Sequence, residues 1–425
     1  MAEYKRKRRS AFTSAPKVNK KRIKDKAVPR DIKMVPQGEE KPEKNNMRVV
    51  RGKKLANKRR FKITAITVAV IAAAVALCQL IMPAGIIETA STALHTIGGG
   101  SYPISLESTD SINTVSKGTY YYLLTNSNIE AYSNAGKRIF SYAHGFENPV
   151  LKTSKTRALV FEQDGKQALI FTHSGLKKTV DSKQSIKNAA IGDNGTYALV
   201  TSPSNYAAAV SVYKKSGELV YEWFSSKDLV NNVAVSPTGK KIAVATVSST
   251  VGAYNSKVLV LGFKSATPLF EKGYENTVIY NIDTTFAGGF SVLTANSYNF
   301  IKWSNFKFFE YKNEYNTAMF RAGNNGVAVV YNRESDKTDN RIAIFSSNGK
   351  LKREIEFKGI ITDFALKNQH IYCVSDTKVY ILDNDGSIMR SADCGFGVGR
   401  SCPLGQSTVA VITDNAISKI KLEQE

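Results

Sequence analysis

Residues 191–223 read IGDNGTYALVTSPSNYAAAVSVYKKSGELVYEW. Short runs rich in Val, Ala, Tyr and Trp are separated by three breaks: a Gly-Asp-Asn-Gly turn, the polar stretch PSNYAA (203–208) and a glycine turn at Gly217. The runs have the length and composition of strands, and the breaks carry residues that tolerate tight reversals. One unit therefore reads strand, tight turn, strand, variable loop, strand, glycine turn, strand. Four strands in about 40 residues is a blade of a β-propeller.

Both landmarks recur. The glycine turn returns in SNAGKRIF (Gly136), THSGLKKTV (Gly175), SSNGKLKREI (Gly349) and DNDGSIMR (Gly386). Successive intervals are 39, 42, 132 and 37 residues, and 132 is three times 44. Two copies in between lack the glycine and are visible as VLVLGFKSATPLFE (258–271) and NFIKWSNFKFFEY (299–311). The first turn returns in VSPTGKKIAVA (235–245) and AGNNGVAVVY (322–331). Innermost strands are expected near residues 112, 150, 187, 230, 277, 317, 360 and 400. That makes an all-β, eight-bladed propeller over 101–425, with seven blades as the alternative count. The last unit, 400–422, has room for three strands. YPISLES (102–108) is expected to add the fourth, pairing the two ends of the domain and removing an exposed sheet edge. Two sandwich domains in tandem would not produce a repeat near 40 residues.

The propeller is preceded by a different kind of sequence. Residues 63–82, ITAITVAVIAAAVALCQLIM, hold no charged side chain, and Lys58, Arg59, Arg60 and Lys62 stand just before them. As a helix the stretch is about 30 Å long, the thickness of a bilayer's hydrocarbon core. It is expected to be a transmembrane helix, and the cations on one flank place the N-terminus in the cytoplasm and the C-terminal domain outside the cell membrane. A cleaved signal peptide fits less well, because 62 residues precede the apolar run and no small-x-small site follows it. Residues 1–62 carry 23 Lys and Arg against 6 Asp and Glu, which is +17 of the chain's +23. With three aromatics and four prolines they read as a disordered basic tail, and residues 83–100 as a linker. The basic runs KRKRR (5–9) and KKRIK (20–24) suit contact with anionic lipid; without aromatic interleaving for base stacking, no specific nucleic acid is expected as a partner.

SPTGKKIAVA resembles the strand–turn–strand of enzyme-free envelope propellers, and the Gly-Lys-Leu and Gly-Glu-Leu turns resemble quinoprotein-like repeats. Tail, single anchor and divergent propeller together resemble an uncharacterised family of bacterial membrane-anchored proteins. The resemblance implies a fold and carries no catalytic residue.

In such a propeller the first-to-second and third-to-fourth turns share one face, here called the turn face. The second-to-third loops and the inter-blade crossings share the other, the hairpin face. Length variation falls on the hairpin face, in PSNYAA, SSTVGAYNS (248–256) and NRESDKTDN (332–340). Variable loops on a rigid scaffold are where binding is usually mounted. Tyr206, Tyr254, Asn255, Arg333, Asp336 and Asp339 are the candidate binding residues, and the expected partner is an envelope protein or glycan. The plain alternative is tolerated insertion without a ligand.

Other chemistries find little footing. No CxxC is present and the four histidines are far apart, so no metal is expected; Glu334, Asp336, Asp339 and Asn340 lack strict calcium-loop spacing. There is no G-x-S-x-G elbow, and two tryptophans are too few for a quinone-dependent dehydrogenase's docking repeats. No cofactor or catalytic residue is assigned, and binding is favoured over catalysis. An extracytoplasmic enzyme or carbohydrate-binding propeller with a site in the central channel, or a transducer acting through the tail, are the other readings. Cys394 and Cys402 flank GFGVGRS as two thiols or, less favoured, a disulfide. The aromatic unit around Tyr298, Phe300, Trp303, Phe306, Phe308, Phe309, Tyr311 and Tyr315 reads as packing between blades rather than as a ligand platform.

Overall fold

The computed structural model describes residues 60–74, 76–77, 91, 94–106, 111–250, 252–284, 288–323, 326–368, 370–375, 377–383 and 385–424. The chain divides into two units, Met1–Val68 and Ala69–Glu425. Residues 60–74 and 76–77 are helical and exposed. They overlap the stretch expected to cross a membrane, but among the described residues no helix is long and apolar enough to do so. Residues 75 and 78–82 of that stretch, the tail before residue 60 and most of the linker lie outside the described residues.

From Ser111 onward the chain forms eight antiparallel sheets, arranged as a propeller in sequence order. Blade 1 is built from Ser111–Ser116, Tyr120–Thr125, Asn128–Ser133 and Arg138–Ala143. Blade 2 follows with Pro149–Thr153, Arg157–Glu162, Gln167–Thr172 and Gly175–Asp181. Ile186–Ile191, Tyr197–Thr201, Ala208–Tyr213 and Leu219–Ser225 make blade 3. Leu229–Val235, Lys241–Thr250, Ala253–Gly262 and Phe270–Tyr274 make blade 4. Blade 5 has Asn281–Asp283, Gly289–Leu293, Ser297–Lys302 and Phe308–Lys312. Blade 6 has Asn316–Ala322, Gly326–Arg333, Asp336–Ser346 and Leu351–Lys358. Ile361–Lys367, His370–Ser375, Lys378–Leu382 and Ile388–Asp393 form blade 7. Blade 8 takes Arg400–Pro403, Thr408–Ile412 and Ala416–Lys421 from the C-terminal end, and Ile104–Ser105 pairs with the last of these as its outer strand. The expected closure by residues 102–108 is therefore observed. The terminal pair Glu423–Gln424 adds a fifth strand to blade 7, alongside Ile388–Asp393, which the sequence did not suggest.

The middle strands read as unbroken apolar runs because both sides are buried. Tyr120, Tyr122 and Leu124 face blade 2, whereas Tyr121 and Leu123 face blade 8. One apolar cluster fills each gap between neighbouring blades, eight in all, which excludes the seven-bladed count. The aromatic unit behaves as packing: Tyr298, Phe300 and Tyr315 lie in the gap between blades 5 and 6, and Trp303 lies between blades 4 and 5.

Two expectations are corrected. The inner strand of blade 5 begins at Asn281 rather than near 277, because residues 275–280 are spent on the crossing from blade 4. The stretches 248–256 and 332–340 are largely paired: Ser248 opposes Asn255 and Asn332 opposes Asn340. They are long hairpins, not free loops.

Inner strands carry a repeated device. Bulges follow Ser111, Ile186, Val230, Thr317 and Ile361. The extra residue turns side chains toward the next blade. Asn188 donates through Nδ2 to Asn231 O at 2.8 Å; Asn231 and Asn232 donate to Ile279 O and Tyr280 O at 2.7 and 3.1 Å. Buried Asp363 accepts Arg321 Nη2 from blade 6 at 2.7 Å, and Ser401 N and Oγ from blade 8 at 2.7 and 2.8 Å. Arg400 Nη2 donates to Ile112 O of blade 1 at 2.8 Å.

The turn face follows the glycine repeat. Gly136, Gly175, Gly217, Gly349 and Gly386 all adopt φ between +82° and +108°. In blade 5 the same place is taken by Phe306 at φ +58°; its N–H donates to Lys302 O, as that of Gly136 donates to Ser133 O. Its ring stacks 5.6 Å from that of Phe270 and lies under Lys241 Nζ, packing that holds a conformation β-carbon residues avoid.

Candidate binding face

On the hairpin face, blade 6 presents a polar cluster around one buried phenol. Tyr315 sits in the crossing from blade 5, and its OH donates to Asp339 Oδ2 at 2.9 Å. Arg333 Nη2 donates to the same OH at 2.8 Å and lies 3.6 Å from Asp339 Oδ2. Lys358 Nζ donates to Asp339 Oδ1. The guanidiniums of Arg333 and Arg341 stand 5.0 and 5.2 Å from the Tyr315 ring centre. Arg341 also pairs with Glu354 and Glu356. The Lys358 ammonium, and after it the Tyr315 hydroxyl, hold the Asp339 carboxyl below its ordinary range. An open cleft of ≈ 490 Å³ beside this cluster is lined by Glu314, Tyr315, Asn316, Arg333, Glu334 and Ser335.

Of the six candidate residues, Arg333 and Asp339 come together. Asp336 is occupied locally: it accepts the Thr338 N–H and hydroxyl, which lower its pKa. Asn340, weighed as a cation ligand, spends its amide on backbone carbonyls, among them Gly359 O at 2.7 Å. Asn255 Oδ1 accepts the Asn276 N–H at 3.4 Å and steadies the crossing into blade 5. Tyr206 packs its ring 4.8 Å from that of Phe224 within blade 3. Tyr254 is 59% exposed at the tip of the blade 4 hairpin. Blade 5 separates the blade 4 group from blade 6, so the six form patches on one face rather than one cluster.

Sequence reasoning missed Tyr315 as a polar hub, and it missed Tyr280 and Phe396. Tyr280 is 57% exposed on a crossing whose carbonyls are held by Asn231 and Asn232. Phe396 is 88% exposed between Gly395 and Gly397 in the crossing from blade 7 to blade 8. Among the described residues of the propeller, every exposed large aromatic (Tyr206, Phe224, Tyr254, Tyr280 and Phe396) lies on the hairpin face. Exposed apolar residues near the turn face are aliphatic and peripheral, such as Leu269 and Leu351. The signal for the Asn ties was present in the sequence: INT (112–114), KNA (187–189), NNV (231–233) and TDF (362–364) put a short polar residue at one place in four inner strands.

The described cysteines, Cys373, Cys394 and Cys402, are free thiols. Burial pushes Cys402 up to about 12, so it stays a thiol.

Solved structures similar to this chain share its fold at low identity. BamB from Moraxella catarrhalis aligns over 76% of this chain and 99% of its own, at 13% identity and a TM-score of 0.48. The dihydro-heme d1 dehydrogenase NirN, in complex with DHE, aligns over 76% of this chain and 77% of its own, at 10% identity and a TM-score of 0.52. At these identities the likeness concerns the fold alone. No curated protein matches the sequence. A family model does: "Family of unknown function (DUF5711)", over residues 100–422.

Proposed function

The chain belongs to the DUF5711 family, and we propose that it is a non-catalytic binding module: a rigid propeller that captures an envelope protein on its hairpin face and is held at the cell membrane by the apolar segment 63–82. One observation carries the reading. All the exposed large aromatics of the described propeller collect on one face, and inter-blade hydrogen bonds hold the crossing that carries Tyr280. Aromatic side chains supply much contact area at little entropic cost, and they are enriched where proteins dock. The Arg333–Tyr315–Asp339–Lys358 cluster adds an oriented polar rim to the same face. The anchor's part is to confine the disc near the membrane, which raises its effective concentration toward partners there. The cations before residue 63 support a cytoplasmic N-terminus and an extracytoplasmic propeller.

The test is site-specific photocrosslinking in intact cells. A crosslinker at Tyr254 or Tyr280 is expected to trap a discrete protein, and one at Leu269 or Leu351 is not. Equal trapping from both faces, or none from the hairpin face, would refute the assignment. A reporter joined to the C-terminus is expected to be active only outside the cytoplasm; cytoplasmic activity would remove the envelope from the proposal and leave the binding face to stand by itself.

A further inference from the structure

The described end of the linker is docked on the propeller, and it is docked on the turn face. A hydrogen bond of 3.0 Å joins Ser91 Oγ and His173 Nε2, and the ring of His95 lies 4.9 Å from that of His173. His173 sits in the third-to-fourth turn of blade 2, between Thr172 and Gly175. The corresponding turn of blade 1 holds the residues that follow. Lys137 Nζ donates to Ile97 O at 3.1 Å, and Gly100 runs so close that a Cβ on it would lie 2.1 Å from Lys137 N. Met82, the last residue of the apolar segment, is nine residues before Ser91. A chain of that length reaches at most about 30 Å.

The two faces also differ in charge. Among the described residues, the connections between strands on the turn face carry nine Lys against four Asp and Glu, an excess of +5. Those of the hairpin face carry three Lys against seven Asp and Glu, an excess of −4. Aliphatic side chains stand exposed at the rim of the basic face. Leu219, Leu351 and Ile388 each begin an outer strand just after its turn, and Leu94 and Ile97 are exposed on the docked linker. Lysines around exposed aliphatics suit a surface that rests on a membrane: ammonium groups meet anionic headgroups, and apolar side chains enter the boundary beneath them. The same headgroups repel an acidic face.

We propose that the turn face rests on an anionic lipid surface, that of the membrane which residues 63–82 span, and that the hairpin face points away from it. The inference rests on the membrane reading of 63–82 and deepens the binding module. The short linker, fixed to the turns of blades 1 and 2, brings the basic face down to the headgroups. The exposed aromatics are thereby offered on the far side, where an envelope protein can reach them.

The experiment places the full chain in vesicles of phosphatidylcholine, alone or mixed with phosphatidylglycerol, that contain a lipid with a nitroxide on its headgroup. A fluorescent amino acid stands at position 304, exposed in a turn of blade 5 on the far side of the ring from blade 1, or at position 254 on the hairpin face. With phosphatidylglycerol present, the nitroxide is expected to quench the probe at 304 and spare the one at 254. The contrast weakens in phosphatidylcholine alone and at high salt. Lys240→Gln, Lys307→Gln and Lys350→Gln each lower the ratio of face-down to free propellers by roughly fivefold, read as lost quenching at 304. These lysines are exposed, so the variants are expected to fold; Lys183→Gln, exposed on the hairpin face, is the control and leaves quenching unchanged. Leu94→Gln together with Ile97→Gln also lowers the contrast. Alkaline carbonate extraction separates the two readings. A chain that resists extraction but shows equal quenching at both positions, stronger quenching at 254, or a contrast indifferent to phosphatidylglycerol overturns the orientation and leaves the anchored module standing. A chain released by carbonate removes the anchor and the orientation together.

Discussion

The two faces of the disc solve different problems with the same strands. On the turn face the chain reverses in a few residues, and its third-to-fourth turns take a glycine at positive φ five times and Phe306, forced into that region, once. On the hairpin face the second-to-third connections vary from two residues between Thr125 and Asn128 to six between Thr201 and Ala208, and the blade 4 hairpin lengthens into two ten-residue strands. The turn face is constrained because each reversal must return the outer strand to its ladder. The hairpin face is not so constrained, and there the exposed aromatics and the Arg333–Asp339 cluster collect. On the proposed function, stability then belongs to the turns and the inner ring, and recognition to the hairpins.

That division can be broken at several points. Asp363→Ala should cost most, about 4 kcal/mol in chemical denaturation, because it strands Arg321 and the Ser401 donors where three blades meet. A smaller value would mean that water replaces the carboxylate and that the inner ring is not the seat of stability. Gly349→Ala comes next at about 2 kcal/mol: its φ is +82° and the new Cβ would lie 2.3 Å from Phe300 Cβ. Asn232→Ala should cost about 1 kcal/mol in stability, the hydrogen bond to Tyr280 O, and should weaken crosslinking at residue 280 although the tyrosine side chain is untouched. Tyr254→Ser and Tyr280→Ser should move stability by less than about 0.5 kcal/mol yet abolish partner capture. A large stability loss there would mean that the exposed rings are structural and would erase the contrast between the faces.

Lys117, which follows the inner strand of blade 1, adds a test by pH. Burial lowers Lys117 from the ordinary 10.5 to about 8, so between those values the unfolded chain holds a proton that the folded chain has shed. Stability from this group rises with pH through that window. Lys117→Met should flatten the rise, measured as the wild-type-minus-variant difference in unfolding free energy across the window.

Much of this architecture was legible because it is local and periodic. A glycine that must turn left-handed is visible one residue at a time, and its return every forty residues gives the blades. The short final unit and YPISLES gave the closure, since an outer edge needs a partner and only that segment was spare. The candidate binding cluster was legible only in part. Arg333 and Asp339 stood out as a polar run, but Tyr315 looked like one more packing ring until the fold set its hydroxyl between them. Phe306 could not be read as left-handed, because only the stacking on Phe270 permits it.

The sequence by itself determined the blade and the way the ring is closed, because turn chemistry and alternate burial act within a few residues; it favoured eight blades over seven, and the packing between blades decided the count. The tertiary structure alone decided which polar groups meet: Asp363 with Arg321 and Ser401, Asn232 with Tyr280, and Arg400 with Ile112 across the closure of the ring. Those partners are 38 to 288 residues apart along the chain. Only blade packed on blade, and the ring closed on itself, brings them within range of a hydrogen bond.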